Sequence, residues 1–167
     1  VPYVTHYEGP LSLEVLSSGF GFWLEHILGV VASPVEDVDN VGVFTHTATI
    51  GTLCAKGFTL QVNIPLGECG DTDQAHTYAG GKVTSWSISV DKTGNLIFEA
   101  DLIFKSGTTA TALATASYPS GAEVLSWLGG FLSVEGTEVL VDSWKLTCDN
   151  KLKTDRLSLG AGNLRKP

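Results

Sequence analysis

The stretch GKVTSWSISVDKTGNLIFEADLIF, residues 81–104, decides the fold class. Its first half alternates serine with large apolar residues, and its second half alternates apolar residues with charged ones. Strict period-two alternation predicts two β-strands, each with one buried face and one polar face. Residues 91–95 between them predict a short hairpin loop, in which Gly94 and Asn95 supply the positive φ that such a loop needs.

The polar face of this hairpin is the first candidate functional surface. It is expected to carry serines from the first strand and carboxylates from the second: Ser85, Ser87, Ser89, Glu99 and Asp101. Two carboxylates on one strand face can in principle perform acid–base chemistry. The sequence indicates no pocket around them, so we expect this face to meet solvent or another subunit.

The remainder of the chain predicts further strands and one helix. Strand patterns occupy residues 1–7, 11–15, 43–50, 58–64, 108–117, 131–134 and 139–148. Apolar residues recur at helical spacing over about residues 18–29, where Ser17 or Ser18 can cap the start and Gly29 the end. A short helical turn is expected over residues 122–128. These elements predict a mainly β fold, a β-sandwich or open β-barrel, with one flanking amphipathic helix.

Charge is unevenly distributed along the 167 residues. Residues 1–79 carry nine Asp or Glu against one Lys, whereas residues 145–167 carry six Lys or Arg against two Asp. The acidic front and basic end allow a head-to-tail contact between identical chains, but on sequence alone we favour the alternative of a solvated acidic surface with a basic tail. The basic residues that we assign to this candidate contact are Lys151, Lys153, Arg156, Arg165 and Lys166. The net charge of −8 disfavours a nucleic-acid-binding protein, whose affinity rests on Lys and Arg.

The sequence contains no motif that predicts an enzyme. It has no Gly-x-Ser-x-Gly, no His-Glu-x-x-His and no phosphate loop, so we expect no catalytic residues and no cofactor. Asp71, Asp73 and His76 offer possible metal ligands, but a solvated loop is the better interpretation, and no metal site is predicted. No apolar run approaches the roughly 18 residues of a membrane span.

The three cysteines exclude a dense disulfide framework. Either Cys54 and Cys69 form one bridge, or the thiols are free and buried, and we favour the second alternative.

Four segments, in order, resemble the major tail tube proteins of long, non-contractile-tailed bacteriophages. The hairpin with its lead-in, TYAGGKVTSWSISVDKTGNLIFEADLIFKSG (77–107), is similar to the family's Gly-x-Lys-Val-x-Ser lead-in, strand, turn and second strand. SSGFGFWLEHILGV (17–30) resembles its helix, and VFTHTATIGTLCAKGFTLQVNI (43–64) resembles its Thr-His-Thr segment and following strand. Residues 124–167 resemble the later half. Each motif is weak alone, whereas their order and spacing are specific.

This resemblance implies a structural role. Tail tube proteins form sixfold rings that stack into a hollow tube in the virion tail, through which the double-stranded DNA genome passes without sequence-specific binding. The implied partners are further copies of the chain and other tail proteins at the tube ends, with no membrane and no cofactor. The candidate polar face then becomes a candidate lumen wall. The same strand pattern also allows an alternative within phage tails, a tail terminator or distal tail component of similar fold.

The resemblance also bears on domain organisation. We expect residues 1–167 to form a single tail-tube-like β domain, which is a fragment or the ordered part of a longer chain. An alternative of a different class is a β-sandwich binding or adhesion module on a virion or cell surface. It predicts that a monomer binds a ligand.

Overall fold

The computed structural model describes residues 7–65 and 73–153. These residues form one α-helix, α1 (Gly21–Leu28), one 3₁₀ turn (Trp127–Gly129) and twelve β-strands. The strands are β1 (Tyr7–Glu14), β2 (Gly29–Val31), β3 (Val35–Glu36), β4 (Phe44–Thr45), β5 (Ala48–Ile50), β6 (Phe58–Ile64), β7 (Gln74–Asp91), β8 (Ile97–Phe104), β9 (Ser106–Thr108), β10 (Leu132–Val134), β11 (Thr137–Val139) and β12 (Ser143–Asp149). The prediction of a mainly β fold with one helix is confirmed. The described strands form no closed barrel.

The principal sheet is organised around β7, which has 18 residues. The second half of β7 lies between β8 and β12, and β1 pairs with the far side of β8, so the strand order is β1-β8-β7-β12. The first half of β7 pairs with β6 and with the short β9. All of these pairings are antiparallel. A single long strand therefore joins the four-stranded part of the sheet to β6 and β9.

The hydrophobic core lies on one face of this sheet, beneath α1. Phe98 of β8 is completely buried, and the rings of Phe20 and Trp23 pack against it with centroid distances of 5.3 and 5.4 Å. Trp23 also contacts Phe58 of β6, so the helix spans both parts of the sheet. Burial of large aromatic side chains is the main stabilising contribution in such a core.

The predicted hairpin is confirmed, but its turn differs in detail. β7 and β8 pair so that Trp86 lies opposite Ala100 and Ile88 opposite Phe98, all on the core face. The positive φ in the loop is found at Thr93, with φ of 66°, and not at Gly94 or Asn95. A hydrogen bond from the Gly94 N–H to the Asp91 carbonyl (2.9 Å) closes the turn.

The helix is shorter than the predicted range of about residues 18–29 and starts without a serine cap. It begins after Phe20, whereas the Ser17 hydroxyl accepts a hydrogen bond from the Glu123 N–H at 3.0 Å. Ser17 thus connects the start of the helix region to a distant segment, which helical periodicity cannot reveal. Gly29 ends the helix with φ of 102°, as predicted.

The prediction of a strand over residues 108–117 is wrong. Only Ser106–Thr108 is a strand, and residues 109–119 are exposed and form no described strand. Their small Ala and Thr side chains offer little apolar area to bury. The side-chain amide of Gln61 instead bonds this segment, donating to the Ala112 carbonyl (3.1 Å) and accepting from the Ala114 N–H (2.9 Å).

Three other boundaries differ from prediction. Residues 43–50 form two separate strands, β4 and β5, and residues 139–148 are divided between β11 and β12. The expected helical turn over residues 122–128 is replaced by extended residues and the later 3₁₀ turn, because Val124 and Ser126 form bridges to Leu16 and Asn95. Most of the predicted first strand, residues 1–6, lies outside the described residues.

Candidate functional site: the polar face of the sheet

The face of the four-stranded sheet opposite α1 carries rows of mostly polar residues that run across the strands. One row is Ser12, Glu99, Ser87 and Thr147, and the next is Pro10, Asp101, Ser85 and Asp149. A third row contains Glu14, Ile97, Ser89 and Lys145. We call these residues the polar face. All five of the residues predicted from the hairpin therefore lie together on it.

Hydrogen bonds between strands hold the polar face in place. The Ser85 hydroxyl donates to the Asp101 carboxylate at 2.6 Å, and the Ser87 hydroxyl donates to Glu99 at 3.1 Å. The Lys145 ammonium reaches the same Glu99 carboxylate at 3.3 Å. The two serine–carboxylate pairs are directly opposite cross-strand neighbours, and such pairs contribute roughly 0.2–1 kcal/mol each in a sheet, whereas Lys145 reaches Glu99 across β7. The carboxylates are thus fixed in position and remain exposed.

Carboxylates outnumber ammonium groups on this side of the sheet. By strand alternation it carries Glu8, Glu14, Glu99, Asp101 and Asp149 against Lys145, and the Lys151 ammonium also lies there, bonded to Asp149. The Lys151 side chain and backbone N–H bond the Asp149 carboxylate, and this lowers the pKa of Asp149 below its ordinary value. The face is therefore charged at neutral pH and presents a negative surface.

The shape of the polar face is an open groove of about 640 Å³. Its lining comes from β1, β7, β8 and β12, and includes Ser12, Thr147 and Asp149 as well as the predicted serines and carboxylates. Sequence reasoning missed these contributions from β1 and β12. The alternation of Lys145, Thr147 and Asp149 in β12 was the available signal, but only the pairing of β12 with β7 places them beside the hairpin.

Both edges of the four-stranded sheet are open within the described part of the chain. β1 pairs only with β8, and β12 pairs only with β7, so one edge of each lacks a backbone partner there. The two edges have similar lengths, eight and seven residues. An open strand edge is a template for pairing with another chain.

The candidate basic region is only partly described. The Lys151 ammonium bonds the Asp149 carboxylate at 2.6 Å, which raises the pKa of Lys151, and the Lys153 side chain is exposed. Arg156, Arg165 and Lys166 lie outside the described residues. Their assignment to a contact between subunits stays a prediction.

The described residues contain no cluster of three or more His, Cys, Asp or Glu side chains that could hold a metal ion. Asp71 lies outside the described residues. Cys54 and Cys148 are exposed, so the expectation of buried thiols is wrong for both: one lies in the loop after β5 and the other on the edge strand β12. Cys69 is not among the described residues, and its pairing with Cys54 is untested. No described helix is long and apolar enough to cross a bilayer.

Comparison with known families identifies the chain. A family model described as phage tail tube protein matches residues 1–166, and no curated protein matches the chain. The chain belongs to the phage tail tube protein family. Members of this structural family lie in the virion tail and assemble with one another into the tube.

Proposed function

We propose that this tail tube subunit contributes the four strands β1, β8, β7 and β12 to the wall of the tube, with the polar face turned to the lumen. The observation that carries this proposal is the contrast between the two faces of one sheet. One face is covered by α1 and the core, whereas the other is an open polar groove between two edges that have no partner among the described strands.

Strand directions allow the sheet to continue from one copy to the next. Because every neighbouring pair in the order β1-β8-β7-β12 is antiparallel, β1 and β12 run in opposite directions. In a ring of identically oriented copies, β12 of one subunit meets β1 of its neighbour as a further antiparallel pair. Pro10 of β1 has no N–H to donate, so the ladder between β12 and β1 loses at most one backbone hydrogen bond at this position. The pairing also removes both exposed edges.

Pairing of this kind around the ring closes the sheets into one barrel, which is large enough to enclose a channel. Four strands per copy in a sixfold ring give about 24 strands, more than the roughly 16–18 strands of porin barrels that enclose an aqueous channel. Side chains from one face of each strand then line the lumen. In this arrangement the line of serines and carboxylates repeats around the wall.

The charge of the polar face suits the passage of double-stranded DNA. Duplex DNA carries one negative charge per roughly 1.7 Å of its axis, and strong binding requires Lys or Arg to displace its counterions. A wall in which carboxylates exceed ammonium groups repels phosphates. DNA therefore moves through stacked rings of this subunit without adhering to the wall.

Negative-stain microscopy of the purified chain at increasing concentration tests the proposal. We expect rings and tubes with a stain-filled lumen. Monodisperse monomers under every condition would contradict it. A monomer that instead binds a surface ligand would favour the adhesion module described above.

A further inference from the structure

A second groove, which we call the apolar groove, lies on the opposite side of the strands from the polar face, at the β7–β8 turn. Its volume is about 470 Å³. Val90, Leu96 and Trp144 form its buried and half-buried lining. Phe131 and Leu140 also line it and are 81% and 93% exposed. A contiguous apolar surface of this kind marks an interaction site.

The position of the groove is fixed by the backbone. The Trp127 N–H bonds the Gly94 carbonyl at 3.0 Å, and the Leu96 N–H bonds the Leu125 carbonyl at 2.8 Å. These bonds attach the segment after residue 122 to the hairpin loop. Backbone hydrogen bonds therefore hold the groove in place at one end of the sheet.

The apolar groove has an acidic border. Residues 123–142 contain four carboxylates and no Lys or Arg: Glu123, Glu135, Glu138 and Asp142. Glu123 and Glu138 line the groove itself, and neither forms an ion pair with another described residue. A complementary occupant combines apolar side chains with positive charges.

We propose that the C-terminal segment of a second copy, residues 154–167, occupies the apolar groove. This segment, TDRLSLGAGNLRKP, lies outside the described residues. It carries leucines at 157, 159 and 164, and three basic residues against one Asp. The inference rests on the proposed function, since the second copy is the next subunit along the tube. The acidic border of the groove is a more specific partner for the basic C-terminal end than residues 1–79 as a whole.

The course of β12 carries the chain away from its own groove. β12 begins at the apolar groove, where Ser143 lies opposite Asp91, and ends with Asp149 opposite Ser85. At about 3.3 Å per residue, these six steps carry the chain about 20 Å away from its own groove. Asn150 continues in the same direction, because its N–H bonds the Thr84 carbonyl at 2.8 Å.

β12 ends at one end of the sheet and the apolar groove lies at the other, so a C-terminal segment bound in the groove of the next copy would form a head-to-tail contact. Such a contact does not close on itself and extends an assembly along one axis. Fourteen extended residues reach at most about 46–50 Å, which is sufficient to enter a neighbouring subunit. The charges across this contact make it sensitive to ionic strength.

Charge reversal in the full-length chain tests the contact. We expect R165E/K166E and E123K/E138K each to abolish tubes or to raise the protein concentration needed for them at least tenfold. Combining all four substitutions should restore assembly, because the charges are then complementary again. E135K is the matched control, since Glu135 is an exposed residue of the same region that does not line the groove. Circular dichroism verifies that each variant is folded.

Photo-crosslinking locates the C-terminal segment directly. Benzoylphenylalanine at position 164, in tubes assembled from mixed light and heavy isotope-labelled subunits, should link to residues 123–144 of a different copy. Three results would overturn the inference and leave the proposed function intact, provided that the unsubstituted chain forms tubes. These are crosslinks within one copy, crosslinks to residues outside 123–144, and charge-reversal variants that assemble normally. Failure of the unsubstituted chain to form tubes would contradict the proposed function itself.

Discussion

Lys82 is a half-buried lysine of β7. Its Nζ donates to the carbonyls of Leu53, Cys54 and Lys56, the latter two at 3.3 and 2.9 Å. Burial lowers the pKa of Lys82. The three acceptors belong to the loop between β5 and β6, so this one side chain holds that loop against β7.

Replacement of Lys82 by methionine tests this role. The K82M variant keeps a long side chain but leaves three carbonyls without their donor, and hydrogen bonds to a charged group contribute about 1.5–3 kcal/mol. We expect the free energy of unfolding to fall by about 2 kcal/mol in urea denaturation. K105M, at an exposed lysine, is the control and should change it by less than about 0.5 kcal/mol. Equal stability of the two variants would contradict the role.

Glu25 of α1 is the second residue with a defined electrostatic role, because its carboxylate pairs with Lys56 of the same loop. The hydrogen bond and charge of Lys56 lower the pKa of Glu25. Since folding favours the ionised form, the pair adds stability above the ordinary pKa of glutamate, and that stability is lost as the pH falls through the lowered value. An NMR titration should find the pKa of Glu25 below its ordinary value, and K56Q should return it there. An unchanged pKa in K56Q would refute the assignment.

At the scale of elements, β7 depends on its glycines. At Gly81 the strand packs against the rings of Phe58 and Phe104, and a Cβ there would lie 2.8 and 2.6 Å from their ring atoms. The preceding Gly80 has φ of 67°, in the left-handed region that favours glycine. These two residues let one strand join the four-stranded part of the sheet to β6 and β9.

The substitution G81A should therefore destabilise the protein. A methyl group at this position forces the aromatic rings apart, and overpacking of this kind costs about 1–3 kcal/mol. G9A in β1 is the matched control, because nothing lies within 4 Å of its Cβ position. There the loss of chain entropy in the unfolded state predicts a gain of about 0.4–1 kcal/mol. Thermal unfolding of both variants distinguishes the two effects, and a neutral G81A would contradict the packing.

The sequence predicts those elements whose pattern is local. The hairpin of β7 and β8, β6 and the Gly29 helix end follow from alternation and glycine placement, and all are confirmed. The segment 108–117 alternates as well, yet it is bonded by the side chain of Gln61 and not by a strand. Likewise, half of the polar face comes from β1 and β12, whose pairing partners are distant in the chain. Local patterns carry no information on such long-range pairings.

For the whole molecule, the polar face predicts how assembled tubes treat DNA. D101K replaces a carboxylate on the polar face by an ammonium group, and this change is repeated in every subunit of the tube. We expect D101K tubes to retain short duplex DNA in sedimentation at low salt and to release it as salt rises, because phosphate binding depends on counterion release. Unsubstituted tubes and E135K tubes should not retain it. Equal DNA retention by all three would show that residue 101 does not face the lumen.

The orientation of the sheet in the tube is the central claim, and cryo-electron microscopy of assembled tubes at residue resolution tests it most directly. We predict that Ser85, Ser87 and Asp101 face the lumen, and that β12 of each subunit pairs with β1 of its neighbour in an antiparallel ladder. A tube in which the polar face points outward, or in which the edges of β1 and β12 remain unpaired between subunits, would contradict the claim.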